Sequence, residues 1–321
     1  MSEPVIELRL WRQFAAVAAE LHFGRAALSL HMTQPPLTQA IAQLEKALGV
    51  RLFDRTKRSV AITPAGEALL PQVHDLLARA EALPAHARAA AAGETGRLRL
   101  AFVSTVGFDL LPQWVRAFRK LNPRVELDLL EATGDVQLPR LARGEIDAGF
   151  MLHSPGFAPE GLARCLISRE PLVVALPGHH PLAKVPDLTL EAVLAEPLVI
   201  FPRRIVPSLY DAIFALYHAA GHSPLVAQEA IQMQTIVNLV SAGLGVAWVP
   251  ESVTQFQRPG VVYRHVAVRK GRGSRKALQV PGCETSLVWR QDCTVPALQR
   301  FIAFAGERAQ VNRQGTSQRA Q

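Results

Sequence analysis

Four polar but uncharged side chains stand close together near the N-terminus. No charged residue occurs between positions 33 and 44, and the polar side chains that lie away from the apolar positions are Gln34, Thr38, Gln39 and Gln43. Such side chains hydrogen-bond base edges in a DNA groove, and glutamine pairs most naturally with adenine. A helix face that only meets solvent usually carries Lys and Glu, so this composition favours a recognition helix. An ordinary amphipathic helix stays the alternative for the segment taken alone.

A group of cations follows directly, at a predicted hairpin. Short strands at 52–53 and 60–62 flank the turn 54–59, and the local positive charges are Arg51, Arg55, Lys57 and Arg58. Cations on such a wing suit phosphate groups or the minor groove of DNA. A solvated loop is the alternative, but the adjacent polar helix favours a nucleic-acid contact.

Three predicted helices position this surface. Apolar residues at helical spacing predict a first helix over 6–21, and an alanine-rich stretch predicts a second over 25–30. Thr33 is the predicted N-cap of the third helix, because the two prolines at 35 and 36 then fall in its first turn, where a missing N–H costs little. The stripe that must pack on the other helices consists of Leu37, Ile41, Leu44 and Leu48.

A further helix begins at Pro64 and suits pairing with a second copy of the chain. Its apolar residues alternate steps of four and three, as in a coiled-coil seam: Leu69, Val73, Leu76, Ala80 and Leu83. Pro71 and Pro84 predict a kink or an early end, and the alanine-rich segment 85–95 is interpreted as the linker. A two-fold dimer would place two recognition helices one turn of DNA, or a multiple, apart.

Composition bounds the class of protein without identifying a partner. The chain has 321 residues, 49% hydrophobic and 19% charged, which predicts more than one globular domain. The net charge of +8 is poor support for DNA binding, because residues 1–96 hold ten Lys and Arg against nine Asp and Glu, while six cations fall between Arg264 and Lys276. No apolar run could cross a bilayer and no secretory signal is apparent, so a cytoplasmic location without membrane contact is expected.

The last two thirds of the chain alternate strands and helices. Strands over 97–103, 125–131 and 146–152, separated by helices, predict a doubly wound parallel sheet. A second set between 172 and 249 and a return strand at 285–289 predict two α/β lobes joined by two crossings. Ligands in such sheets sit beyond the carboxyl ends of strands, where Ser104 and Thr105 open a helix whose free N–H groups favour an anion. A helix cap is the alternative for each residue alone.

The sequence resembles the LysR-type transcriptional regulators over nearly its whole length. The resemblance rests on FGRAAL, on TQPPLTQAIAQLEKALGVRLFDR and on ITPAGEALL. It implies a DNA-binding regulator in which a major-groove helix, begun at Thr33, and a wing contact DNA. The implied DNA-binding residues are Gln34, Pro35, Thr38, Gln39, Arg55 and Arg58. Relatives often have Arg or Lys where this chain has Gln39, so its affinity is expected to depend more on the wing.

The resemblance also implies the fold and the domain order. The fold class is α/β with an N-terminal all-α winged helix-turn-helix at 1–63, followed by a linker (dimerisation) helix and hinge at 64–96. An effector-binding domain at 97–308 would have two doubly wound lobes resembling periplasmic binding proteins, lobe I at about 97–168 plus 270–308 and lobe II at about 169–269. The polar tail 309–321 is predicted to be disordered.

The implied partners are double-stranded DNA, RNA polymerase, a small-molecule effector and the chain itself, as a homodimer through the linker helix and as a homotetramer. Besides Ser104, the effector-binding residues expected are Thr105, Thr133, Pro207 and Ser208. Some relatives bind a dicarboxylate with an arginine just after the strand DAGF, where this chain has residues 151–153, Met-Leu-His. An aromatic or monocarboxylic acid is therefore favoured, with Arg203 and Arg204 as a less favoured source of positive charge. Activation and repression stay open.

Other functions are weaker alternatives. No GxSxG, HExxH, P-loop or paired GxGxxG motif is present, so an enzyme is not expected. Three cysteines without CxxC spacing, Cys165, Cys283 and Cys293, predict neither a disulfide scaffold nor a metal site, and no cofactor is expected besides the effector. Thiol-based redox sensing and small-molecule binding without a transcriptional role stay open, as does a minority DNA or anion role for the basic loop 269–282.

Overall fold

The computed structural model describes residues 5–56, 59–266 and 278–319. The chain divides into two units, Met1–Arg88 and Ala89–Gln321. Within these described residues, no helix is both long and apolar enough to cross a membrane.

The first unit is a three-helix cluster with a two-stranded wing. Its elements, with the long helix that leaves it, are α1 (Leu8–Glu20), α2 (Phe23–Ser29), α3 (Gln34–Leu48), β1 (Phe53–Arg55), β2 (Val60–Ile62) and α4 (Pro64–Ala91). The predicted apolar stripe of α3 is confirmed, since Leu37, Ile41 and Leu44 are fully buried against Phe14 and Val17 of α1. The second helix begins two residues before its prediction, because the His22 side chain caps it by accepting hydrogen bonds from Gly24 N and Arg25 N.

The long helix α4 differs from its prediction in two ways. Pro71 and Pro84 lie inside it without ending it, so most of the segment interpreted as a linker, 85–95, is helical up to Ala91. Alanine is the strongest helix former, and it extends the helix past the second proline. Of the predicted seam, Val73 is buried in the core of the first unit, with Leu69 packed beside it. Only the later part of the seam is available for a partner.

The second unit consists of two α/β lobes. Its elements are β3 (Gly96–Phe102), α5 (Ser104–Gly107), α6 (Leu110–Leu121), β4 (Val125–Glu131), α7 (Gly134–Ala142), β5 (Ala148–His153), β6 (Leu162–Pro177), α8 (Leu190–Leu194), β7 (Leu198–Ile200), α9 (Pro207–Ala219), β8 (Val226–Glu229), α10 (Met233–Ser241), β9 (Ala247–Pro250), β10 (Val261–Arg264), β11 (Gly282–Arg290) and α11 (Pro296–Arg319).

The sheets are mixed rather than parallel throughout. Strands β4, β3 and β5 are parallel, as the sequence predicts, but β11 is antiparallel to both β5 and β6. The long strand β6 pairs with β11 up to Pro171 and with β9 from Leu172 onward, so it passes from one lobe into the other. The return crossing brings β11 into the first lobe from the far end, which makes its direction opposite to that of β5.

An aromatic cluster holds the first lobe together. The rings of Trp114, Phe118, Phe150, Phe301 and Phe304 lie at centroid distances between 5.0 and 6.4 Å, mostly edge to face. Helix α11 extends this packing to Ala309, which is buried, and continues to Arg319. The structure continues this helix through residues 309–319, where the sequence predicts a disordered tail. The first part of the basic loop 269–282, up to residue 277, lies outside the described residues.

Candidate DNA interface and effector cleft

The polar face of α3 is displayed as the sequence predicts. Gln34, Pro35, Gln39 and Gln43 are exposed, while Thr38 is half-buried. The Thr38 hydroxyl donates to the Gln34 carbonyl at 3.1 Å, which holds the side chain along the helix. The face can therefore offer amide donors and acceptors and no charge, which is the chemistry of base-edge contact.

The turn before α3 uses strained backbone. His31, between α2 and α3, has φ of 56°, in the left-handed region that favours glycine, and its N–H donates to Leu28 O at 3.0 Å. On the other side of α2, Arg25 binds the Glu20 carboxylate at 3.0 Å. These local contacts hold the short α2 between α1 and α3.

The wing is a regular antiparallel hairpin at its base. Phe53, Asp54 and Arg55 pair with Ile62, Ala61 and Val60. Arg55 does not stand free, because its Nη2 lies 3.0 Å from Glu45 Oε2 and its guanidinium lies 4.6 Å from the centre of the Phe23 ring. Arg58, the other predicted wing contact, lies outside the described residues, as does Lys57. DNA contact by these residues stays a prediction.

Helix α4 exposes two large apolar side chains seven residues apart. Leu76 is 43% exposed and Leu83 63% exposed, with Ala80 half-buried between them. Side chains seven apart lie on one face of a helix. This face, Leu76–Leu83, fits a coiled-coil contact with a second chain.

A partly open cleft in the second unit spans about 390 Å³, a volume that includes open solvent. Three of the predicted effector residues line it, Ser104, Thr105 and Thr133. The sequence reasoning missed the other lining residues: Val103, Leu152, Phe201, Ile205, Val206, Ile231, Gln232 and Met233.

Two predicted effector residues lie elsewhere. Pro207 and Ser208 do not line the cleft; Val206, the residue before them, does. Ser208 instead joins the two lobes, because Ser154 N donates to its Oγ at 3.1 Å and Ser154 Oγ donates to its carbonyl at 2.9 Å. Effector contact by any of the predicted residues stays a prediction.

The polar atoms of the cleft are unequally engaged. Thr105 is 6% exposed, and its buried hydroxyl has no hydrogen-bond partner in the part of the chain that the structure describes. The Thr133 hydroxyl donates to Asp135 Oδ1, so only its lone pairs face outward. Ser104 Oγ accepts a hydrogen bond from Met233 N at 3.4 Å across the lobes, which leaves its own proton available.

No charged side chain lines the cleft among the described residues. The two arginines nearby in sequence are both paired. Arg203 forms two hydrogen bonds of 2.7 Å with Asp211, which lower the pKa of that carboxyl, and Arg204 Nε lies 3.6 Å from Asp135 Oδ2 of the other lobe. Of residues 151–153 only Leu152 lines the cleft, and His153 is buried, with its Nε2 2.9 Å from Ser286 Oγ.

Burial of Cys283 argues against a redox role for this cysteine. None of the three forms a disulfide among the described residues, and Cys283 is buried, which raises the pKa of its thiol well above the ordinary value. A thiol with a raised pKa holds little thiolate and reacts slowly with oxidants. Redox sensing is therefore not favoured. Within the described residues, no cluster of His, Cys, Asp and Glu suits a metal ion.

Comparisons with known proteins agree with this arrangement. A family model described as "Bacterial regulatory helix-turn-helix protein, lysR family" matches residues 8–67, and one described as "LysR substrate binding domain" matches 91–310. The chain is 44% identical to the HTH-type transcriptional regulator IlvR of Caulobacter vibrioides over 94% of this chain and 98% of that protein. It is 37% identical to AlsR of Bacillus subtilis, over 92% of this chain and 94% of AlsR.

A solved structure also matches at full length. Full-length CbnR complexed with its target DNA superposes with a TM-score of 0.78 at 29% identity, covering 95% of this chain and all of that one. CbnR is described as a LysR family transcriptional regulator. The match extends over both the helix-turn-helix and the two-lobed region.

Proposed function

Because the chain belongs to the LysR family of DNA-binding transcriptional regulators, we propose that it reads its operator with the polar face of α3 and that a small monocarboxylate, bound in the cleft between the lobes, controls this binding. The chain is a regulator rather than an enzyme, and the relatives named above are transcriptional regulators. The observation that carries the proposal is an apolar cleft that has hydroxyl groups but no charged side chain among the described residues.

Operator reading by α3 can be tested one side chain at a time. We expect Gln34→Ala to weaken operator binding about 10- to 100-fold and to relax selectivity at one base pair, since a good bidentate contact contributes roughly 1–3 kcal/mol of discrimination. Fluorescence anisotropy on operator DNA and on a shuffled sequence measures both effects. Gln72→Ala, an exposed glutamine on α4, is the matched control. Equal losses on operator and shuffled DNA would contradict base reading by Gln34.

The absence of charge on the polar face of α3 between residues 34 and 43 predicts a weak electrostatic contribution from this face. We expect Gln39→Lys to strengthen binding to any DNA and to steepen the dependence of log affinity on log salt by roughly 0.9 per protomer, as one new phosphate contact should. Selectivity between operator and shuffled DNA should stay the same or fall. An unchanged salt slope would show that Gln39 does not face a phosphate.

We propose that α4 pairs two copies of the chain into the operator-binding dimer. Leu76 and Leu83 present an apolar face, and burial of each leucine contributes roughly 1.5–3 kcal/mol. The double variant Leu76→Asp, Leu83→Asp should sediment as a smaller species with an unchanged circular dichroism spectrum. Ala78→Asp, at an exposed position of the same helix, is the control. An unchanged mass would place the dimer contact elsewhere. A homotetramer would need a second contact between protomers besides α4. We also propose that the DNA-bound protein contacts RNA polymerase.

The cleft favours a monoanion with an apolar body. The N-cap residues of α7 and α10, Thr133 and Gln232, both line the cleft. Helix N-termini carry partial positive charge, which favours an anion. The hydroxyls of Ser104 and Thr105 can donate to a carboxylate. A second carboxylate would have no free cation beside it, because Arg204 is paired with Asp135 and Arg203 with Asp211. An amino acid would have no carboxylate for its ammonium group among the lining residues.

Matched ligands test this choice. We expect hexanoate and benzoate to raise the melting temperature, since a ligand that binds only the folded state stabilises it. Adipate, terephthalate and norleucine should stabilise much less at equal concentration. Stabilisation by hexanamide equal to that by hexanoate would show that the negative charge of the ligand does not contribute to binding, which would contradict the proposal of an anion. If none of the acids stabilises the protein, the proposal of a monocarboxylate effector is wrong.

Control of DNA binding follows from movement of the lobes. The hydrogen bonds Ser104–Met233 and Ser154–Ser208 join them, and an effector that binds one arrangement better shifts the population toward it. That shift changes dimer packing and with it the spacing of the recognition helices. We place this regulator in the cytoplasm, where its DNA lies. An effector that stabilises the protein without changing operator affinity or DNA bending would contradict the coupling.

A further inference from the structure

The carboxylate of Glu45 lies between the recognition helix α3 and the wing. Its Oε1 accepts hydrogen bonds from Leu52 N at 2.9 Å and from Phe53 N at 3.1 Å. The side chain is only 15% exposed. One oxygen of a residue in α3 therefore satisfies the two backbone donors that begin the wing.

The second oxygen of the same carboxylate holds Arg55. Arg55 Nη2 lies 3.0 Å from Glu45 Oε2, and the guanidinium lies over the ring of Phe23 in α2. Phe23 in turn packs edge to face on Phe53 at a centroid distance of 6.1 Å. The pair Glu45–Arg55 thus connects α2, α3 and β1, and it covers the aromatic core of the first unit.

We propose that Glu45 is a positioning residue for DNA binding, and that Arg55 acts inside the protein as its partner rather than as a phosphate contact. A carboxylate–guanidinium pair is neutral, so it releases no counterions when DNA binds. Its role is to fix the wing against the recognition helix, so that the remaining wing cations and the α3 face engage the same DNA segment together. This departs from the DNA contact that the family resemblance implies for Arg55.

The salt dependence of operator binding separates the two roles. Each phosphate contact contributes roughly 0.9 to the slope of log affinity against log salt. Arg55→Met removes the charge and keeps an apolar stem over Phe23. We expect this variant to bind operator about tenfold more weakly, with an unchanged slope. Glu45→Gln keeps an acceptor for Leu52 N and Phe53 N but releases Arg55. We expect its slope to steepen by about 0.9 per protomer and its selectivity for operator over shuffled DNA to fall.

The control variant replaces the carboxylate partner of a different arginine, one that lies outside the wing. Asp75 and Arg79 form an exposed pair of 2.9 Å on α4, so Asp75→Asn makes the same charge change as Glu45→Gln outside the wing. We expect it to leave slope and selectivity unchanged. The double variant Glu45→Gln, Arg55→Met should restore the wild-type slope with reduced affinity, and circular dichroism melting checks that each variant is folded.

Two results overturn the proposal. A slope shallower by about 0.9 per protomer in Arg55→Met would make Arg55 a phosphate contact. An unchanged slope in a folded Glu45→Gln would show that Glu45 does not take up the charge of Arg55. If Glu45→Gln fails to fold, the slope of Arg55→Met decides alone. In Arg55→Met, Glu45 is unchanged and still accepts the hydrogen bonds from Leu52 N and Phe53 N.

Discussion

Replacing Thr105 by valine should change stability and effector binding in opposite directions. Thr105 is the second residue of α5 and lines the cleft, and its hydroxyl is buried without a partner among the described residues. Valine has nearly the same shape and no polar atom. The substitution therefore removes the hydroxyl and leaves the surrounding packing in place.

The expected magnitudes follow from what the hydroxyl does in each state. A buried polar group without a partner costs roughly 1–3 kcal/mol, so the free protein should gain about 1 kcal/mol in its free energy of unfolding. For a unit of this size that gain raises the melting temperature by about 2–4 °C. With a carboxylate bound, the hydroxyl donates to a charged acceptor, an interaction of roughly 1.5–3 kcal/mol. Effector affinity should therefore fall about 10- to 150-fold.

Two measurements decide the outcome. Thermal unfolding of the ligand-free protein gives the change in stability, and titration with hexanoate or benzoate gives the change in affinity. Thr235→Val, at an exposed threonine on α10, controls for the substitution itself. A less stable free protein with unchanged affinity for the acid would refute the reasoning, because the hydroxyl would then be a structural group and not a ligand donor.

Three further predictions concern the second unit. Gly149→Ala should destabilise the protein by about 2 kcal/mol in urea unfolding, because its Cβ would lie within 3 Å of the buried Gln137 Oε1; an unchanged midpoint would contradict this. Glu170 accepts a hydrogen bond from Ser252 N at 2.6 Å, and burial raises the pKa of its carboxyl. The folded state thus binds the proton more tightly, so this group favours folding less as pH rises past the usual range of a glutamate; Glu170→Gln should be more stable than wild type at neutral pH, with the difference closing in acid, as measured by unfolding across pH. Because burial raises the pKa of the Cys283 thiol, peroxide should leave operator affinity unchanged, and a loss that Cys283→Ser abolishes would restore the redox hypothesis.

The sequence predicted regular elements well wherever the pattern is local. The bounds of β4 agree with the predicted strand 125–131, because the segment has a clear pattern and a clear end. The first half of β6 was missed, because it is only partly buried and carries charged residues such as Arg164 and Arg169. The edge strand β8 was also missed, since it is exposed throughout and shows no apolar alternation.

The site was predictable only in part, for the same reason. Ser104, Thr105 and Thr133 follow strand ends, which a sequence shows. Gln232 lines the same cleft from the other lobe, whereas Ser208 binds Ser154 instead. Both positions depend on contacts between segments that are far apart in the sequence. Such pairings depend on the crossing of β6, which no local pattern contains.

The sequence by itself determined that α3 would present an uncharged polar face, because helical periodicity alone separates Leu37 and Ile41 from Gln34 and Gln39. Only the tertiary structure decided whether the positive charge of the neighbouring wing is paired within the protein. Arg55 reads as a free wing cation in the sequence, yet Glu45, ten residues earlier, comes within 3.0 Å once α3 and β1 pack together. Charge is a property of the residue, but its availability to DNA is a property of the neighbours that the fold supplies.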